Sequence, residues 1–181
     1  ALRAALAAAL GLRDPGHSWH SDRSLVTQIA AWITRAATAL GKFGEDLILL
    51  TQSGIAEVRL GGAGASSTMP QKQNPVGPSV LVALAAQAQG LNGMLQAAAL
   101  HRQQRDGAAW FTEWMSLPPL CLSLSAGLTQ AHALAETLAP DTDAMARTLA
   151  ASQGLLAAEA LSFALTDRMS RPEAQAAVKA L

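Results

Sequence analysis

Between Gly61 and Pro75, the run Gly-Gly-Ala-Gly-Ala-Ser-Ser-Thr-Met-Pro-Gln-Lys-Gln-Asn-Pro sets three hydroxyls, a lysine and an asparagine behind a glycine-rich approach. Lys72 supplies positive charge and Asn74 supplies amide donors. The helix expected after Pro75 adds the positive end of its dipole, which favours a bound carboxylate, and Asn74 is placed to cap it. A hydroxyl of Ser66, Ser67 or Thr68 held beside a lysine and a helix terminus can be activated as a base. Such a set suits proton transfer next to a carboxylate, with the developing negative charge stabilised electrostatically. Met69-Pro70 and Asn74-Pro75 restrict the backbone on either side of Lys72. Gly61, Gly62 and Gly64 are expected to leave the approach free to move, as in a lid that folds over a ligand. The plainer alternative is a surface loop with ordinary capping residues. Two phosphate-binding readings fail: Gly62-Ala63-Gly64 lacks a third glycine and a preceding strand, and no Gly-Lys-Ser/Thr run exists.

The elements that must position this loop are helical. Half of the 181 residues are hydrophobic, with Ala and Leu abundant and aromatics at 4%; these are helix formers that favour close helix–helix packing over sheets. From Ser21 or Asp22, a plausible N-cap, apolar residues recur at Leu25, Ile29, Trp32, Ala36, Leu40, Phe43, Leu47 and Leu50, which predicts one long helix. A second is expected from the Asn74–Pro78 stretch to Arg102, broken by Asp106-Gly107. A third begins near Trp110, runs through Pro118-Pro119 with a kink, and ends before Pro140. Shorter helices are expected at residues 141–151, 155–165 and 172–181. The result is an all-α chain: a long-helix bundle over residues 1–138, followed by the start of a small helical domain over residues 139–181.

Thirteen basic and thirteen acidic side chains cancel, so the chain carries no electrostatic footprint for nucleic acid or an anionic membrane. The most apolar window, Val80 to Leu100, is interrupted by Gln87, Gln89, Asn92 and Gln96, which argues against a membrane span. Cys121 is the single cysteine, so no internal disulfide forms and a cytoplasmic setting is the default. The chain opens inside an apparent helix without an initiator methionine and reads as a piece of a longer protein.

Gly64 to Pro75 resembles the signature segment of the fumarase/aspartase superfamily, with Ala65 where the family usually has glycine. The resemblance implies a homotetramer whose long helices form a shared central bundle, with active sites built from three subunits. It implies that Ser66, six residues before Lys72, is the catalytic base, and that Lys72 and Asn74 hold substrate carboxylate and stabilise the aci-carboxylate intermediate. Ser67, Thr68 and Met69 would line the same pocket. No metal and no cofactor are implied.

Two flanking segments narrow the resemblance. Ser18-Trp19-His20-Ser21-Asp22-Arg23 is similar to the Pro-Trp-His-x-x-Arg-Asp segment of the superfamily's bacterial 3-carboxymuconate cycloisomerases, with Ser24 replacing the final Asp. Trp110-Phe111-Thr112-Glu113-Trp114 looks like their Trp-x-x-Glu-Trp segment. The implied substrate is a small polycarboxylate, and the implied reaction a reversible, cofactor-free lactonisation in protocatechuate breakdown. Adenylosuccinate lyases place a serine and an arginine where Trp110 and Trp114 stand, which weighs against a nucleotide. That activity, another lyase of the superfamily, and an inactive oligomerisation fragment remain the alternatives. The superfamily's upstream histidine segment has no match, and the chain is expected to span about half of such an enzyme.

His20 and Arg23 are assigned to substrate binding, because a tricarboxylate needs cationic partners; the bland reading is a solvated helix entry. His101, Arg102 and Arg105 read as charges favoured at a helix C-terminus. Trp32 and Phe43 are expected in the core, Cys121 as a small buried residue, and Glu113 on a helical surface.

Overall fold

The computed structural model describes residues 2–61, 64–65 and 73–180, with the side chains of residues 64, 65 and 73 excepted. Helices dominate: α1 Leu2–Ala9, α2 Ser24–Leu50, α3 Val76–Ala98, α4 Gly107–Thr137, α5 Thr142–Ala151, α6 Ala158–Leu165 and α7 Arg171–Lys179, with one 3-10 turn at Leu155–Ala157. The strands are two-residue bridges: β1 Val58–Arg59 pairs antiparallel with β4 Ala139–Pro140, and β2 Gly64–Ala65 with β3 Gln73–Asn74. The all-α expectation holds.

Helices α2, α3 and α4 pack along one another around two apolar layers. Ala30, Ile33 and Ala37 of α2 meet Ala88 and Leu95 of α3 and Leu120 and Leu124 of α4. Toward the loop end, Leu47, Leu81 and Leu134 pack with Val58 and Leu60. Each fully buried leucine contributes about 1.5–3 kcal/mol, and the alanines between them let the helices close up. Glycine sets the nearest approach: a Cβ on Gly44 would lie 2.6 Å from the Pro78 carbonyl oxygen of α3, and one on Gly41 2.6 Å from the Ala85 Cβ.

Several local expectations change. Asp106 does not merely break a helix; it caps α4, its carboxylate accepting from the Ala108 and Ala109 amides. Helix α3 stops at Ala98, four residues short of Arg102, and its N-cap is Pro75 rather than Asn74. Arg23 occupies the N-cap of α2, while Asp22 accepts from the Ser24 amide at 3.0 Å. Pro118 and Pro119 lie inside α4. Trp32 is 59% exposed, and Leu25 and Ile29 are exposed beside it. Cys121 is exposed as well. Periodicity identified the helix but not which of its apolar residues this chain covers. Phe43 does pack against the second layer.

Of the approach glycines, Gly61 is tied to the end of α4, and Gly62 lies outside the described residues. The Asp141 amide donates to the Glu57 carbonyl at 2.8 Å and the Gly61 amide to the Thr137 carbonyl at 3.2 Å. A Cβ on Gly61 would sit 2.7 Å from the Thr137 Cβ. Glycine at this position therefore admits the end of α4 rather than conferring mobility.

Gly44→Ala is expected to lower stability. Overpacking against a backbone carbonyl costs about 1–3 kcal/mol and outweighs the roughly 1 kcal/mol gained in helix propensity. Urea unfolding should show a lower midpoint at unchanged slope; a midpoint at or above the parent's would contradict the close α2–α3 approach.

Candidate active site

The signature loop is anchored at both feet. Gly64 pairs with Asn74 and Ala65 with Gln73, so the chain leaving at Ala65 returns beside its own departure point. Ser66, Ser67, Thr68, Met69 and Lys72 lie outside the described residues. Asn74 is half-buried on β3, one residue before Pro75 and the first turn of α3. That places its amide beside the positive end of a helix of 23 residues, a setting that favours carboxylate.

His20 and Arg23 lie elsewhere. They precede α2 and face the first turns of α4, near the C-terminal end of α3. The length of α3 puts roughly 34 Å between the two ends at 1.5 Å per residue. Within one copy of the chain, a small ligand cannot touch both Asn74 and His20.

Arg23 is committed inside the chain. Its Nε donates to Glu113 Oε2 at 2.8 Å and its Nη2 to Glu113 Oε1 at 2.5 Å. Nη1 donates to the Trp19 carbonyl at 2.9 Å. All three guanidinium nitrogens thus have partners, so Arg23 acts as a tie between α2 and α4 rather than an open carboxylate ligand. Glu113 is not a surface residue: it is 6% exposed, and its hydrogen bonds hold the Arg23 guanidinium above its ordinary range. The pairing spans 90 residues, so no local pattern announces it.

Around that tie lies an aromatic wall. The Trp110 and Trp114 rings are 5.9 Å apart and tilted by 31°, and Phe111 meets Trp114 edge-on at 5.4 Å. His20 lies 6.2 Å from the Trp110 ring and His101 6.5 Å from it. The Arg105 Cζ sits 5.7 Å from the same centroid. His20 Nδ1 is 2.6 Å from the Ser18 hydroxyl. Beside the wall, Arg102 Nε donates to Asp106 Oδ2 at 2.7 Å; this bond and the backbone amides hold the Asp106 carboxyl well below the usual carboxylate range. The sequence singled out His101, Arg102 and Arg105 as neighbours in the chain, but not their convergence with His20 on Trp110.

The sequence matches a lyase family over residues 3–90. It is 42% identical over 174 residues to the 3-carboxy-cis,cis-muconate cycloisomerase of Pseudomonas aeruginosa, covering 94% of this chain and 38% of that protein. The enzyme of the same name from Pseudomonas putida is 40% identical, with 94% and 41% covered. The crystal structure of 3-carboxy-cis,cis-muconate lactonizing enzyme from Pseudomonas putida superposes with a TM-score of 0.82 at 38% identity, over 98% of this chain and 39% of that one. The chain therefore spans about two-fifths of the length of these relatives, somewhat less than the half expected.

Glu113→Leu alone leaves the half-buried Arg23 without its carboxylate and is expected to cost about 1.5–3 kcal/mol, the range for hydrogen bonds to charged groups. Adding Arg23→Met should recover most of that loss, a coupling that a double-mutant cycle by chemical denaturation measures directly. Additive losses would mean that the two side chains do not share a buried pair.

Proposed function

We propose that this chain, which belongs to the fumarase/aspartase superfamily, carries part of the catalytic machinery of a cofactor-free cycloisomerase that interconverts 3-carboxy-cis,cis-muconate and 4-carboxymuconolactone. The observation that carries this reading is 42% identity to a cycloisomerase over 94% of the chain, with the signature segment intact apart from Ala65. In the lactonising direction, a substrate carboxylate oxygen adds across a double bond while the neighbouring carbon takes a proton. In reverse, that proton is abstracted and the carbon–oxygen bond breaks.

Ser66 is assigned the proton transfer. Lys72 and Asn74 hold the adjacent carboxylate and stabilise the charge that builds on it, with Ser67, Thr68 and Met69 lining the pocket. The two-residue ladder at the feet of the loop supports this assignment, since it fixes where the segment leaves and re-enters the fold. His20 belongs to the substrate side; Arg23 supports it from behind.

The reading extends to a homotetramer with shared sites. The length of α3 separates the loop from His20 within one copy, and Leu25, Ile29 and Trp32 of α2 with Met115, Leu122 and Leu128 of α4 form exposed apolar faces suited to burial between copies. The change from long to short helices after Thr137 supports a division into residues 1–138 and 139–181. The partner is a small polycarboxylate, with no nucleic acid or membrane. The setting is cytoplasmic, in keeping with a single, unpaired Cys121, and the pathway is protocatechuate breakdown.

An ultraviolet assay on the whole protein should show loss of carboxymuconate. Ser66→Ala should lower kcat by about 10²–10⁴-fold with the helical circular dichroism unchanged. Retained activity in that variant would remove Ser66 from the mechanism, and faster turnover of adenylosuccinate would replace the substrate.

A further inference from the structure

One face of α4 touches both limbs of the signature loop. Gln130, Leu134 and Thr137 follow at steps of four and three residues, so they lie along a single stripe of the last turns of the helix. On the limb that leaves for the loop, Leu60 packs in one layer with Leu134, and the Gly61 amide donates to the Thr137 carbonyl at 3.2 Å. Just beyond Thr137, β4 pairs with β1, immediately ahead of Leu60. On the limb that returns, Gly77 in the first turn of α3 lies against the same stripe. A Cβ there would sit 2.6 Å from Gln130 Nε2 and 3.2 Å from Leu134 Cδ2.

The glycines mark where this contact is closest. Glycine is less stable than alanine within a helix, so a helical glycine calls for a packing reason. Among the described residues, Gly90 and Gly93 of α3 meet nothing that a Cβ would touch, whereas Gly77 meets the far end of Gln130 and a Leu134 methyl group. Alanine at this position would fit only by displacing the Gln130 carboxamide. Glycine thus keeps the notch against which that side chain sits, half-buried between α3 and α4. Gly61 is the counterpart on the other limb, where a Cβ would meet Thr137. Each limb therefore meets α4 at a residue without a side chain, and the helix surface sets how close the limb can come.

We propose that this stripe is a positioning clamp for the reaction: Gln130 and Leu134 on the returning limb, with Thr137 on the departing one, fix both feet of the loop on the bundle. This rests on the reading of the loop as the carrier of proton transfer and carboxylate binding. The β2–β3 ladder cannot do the same work, because it ties the two feet to each other and not to the helices. Gln130 is the member that governs Asn74. A sideways shift of the first turn of α3 carries Asn74 with it through the stiff Pro75, while Gly61 stays with Thr137. The three side chains act through the loop and are positioning residues.

The test pairs amide hydrogen exchange with carboxymuconate kinetics on the whole protein, in Gln130→Ala, Gly77→Ala and the double variant. Gln130→Ala should speed exchange severalfold at residues 73–79, while the middles of α2 and α3 exchange as in the parent. Its kcat should fall about 10–10²-fold, the cost of misplacing a reacting group by about 1 Å, with KM within about twofold of the parent's. Gly77→Ala should lower kcat in the same way while its urea midpoint holds or rises, since alanine favours the helix. A contact that served stability alone would not separate the two. In the double variant the new methyl group at position 77 takes space that the carboxamide has left, and most of the lost kcat should return. Parent-like exchange at residues 73–79 in Gln130→Ala would overturn the clamp, whether or not the parent turns over carboxymuconate. Faster exchange with parent-like kcat would overturn its role in the reaction. Faster exchange in a protein without turnover would support the clamp and remove the cycloisomerase reading.

Discussion

The contact between Gly44 of α2 and the Pro78 carbonyl of α3 admits no side chain, and the rest of the structure depends on it. With Gly41 against Ala85, it draws α2 and α3 together along their length and lets the small residues Ala30, Ala37 and Ala88 share a layer with Leu95 and Leu120. Packed this way, α3 becomes a rigid spacer. The signature loop is attached at one end of that spacer, and the His101–Trp110 cluster at the other. A chain with a looser α2–α3 contact would lose control of both positions.

Each end is then fixed by a different kind of interaction. At the loop end the ties are backbone hydrogen bonds: the β1–β4 and β2–β3 bridges and the Gly61–Thr137 contact hold the feet of the loop while leaving its side-chain chemistry to the residues between. At the far end the tie is electrostatic. A two-point Arg23–Glu113 pair in low-dielectric surroundings is sensitive to loss of either partner, and its geometry specifies how the segment before α2 meets α4. Because that pair is satisfied internally, Arg23 is not open to a ligand, whereas Arg105 makes no ion pair among the described residues. Arg23 is thereby committed to positioning the segment before α2.

Much of this was legible in the sequence because it is encoded locally. Apolar spacing located α2 and α3, the short C-terminal helices fell close to their expected ranges, and the Gly64–Pro75 segment carried the family resemblance on its own. The misreadings are long-range. Glu113 looked like a surface carboxylate because its partner lies 90 residues away, and Trp32 looked like core because helical periodicity marks an apolar face without saying what covers it. Asp106 is a different case: an aspartate immediately before a helical run is a capping signal, and it was available to read. Gly61 reads in the sequence as a source of mobility, whereas the closeness of Thr137 requires it, a fact of tertiary packing.

In the proposed assembly the loop and the His20 cluster, separated by the length of α3 within one chain, meet across different copies in one active site. That meeting is tested most directly by mixing two whole-protein variants, Ser66→Ala and His20→Ala, after dissociation and reassembly. If each variant alone is nearly inactive, the reassembled mixture should regain carboxymuconate turnover, because some sites combine an intact loop from one copy with an intact cluster from another. A mixture no more active than its two components would contradict that assembly.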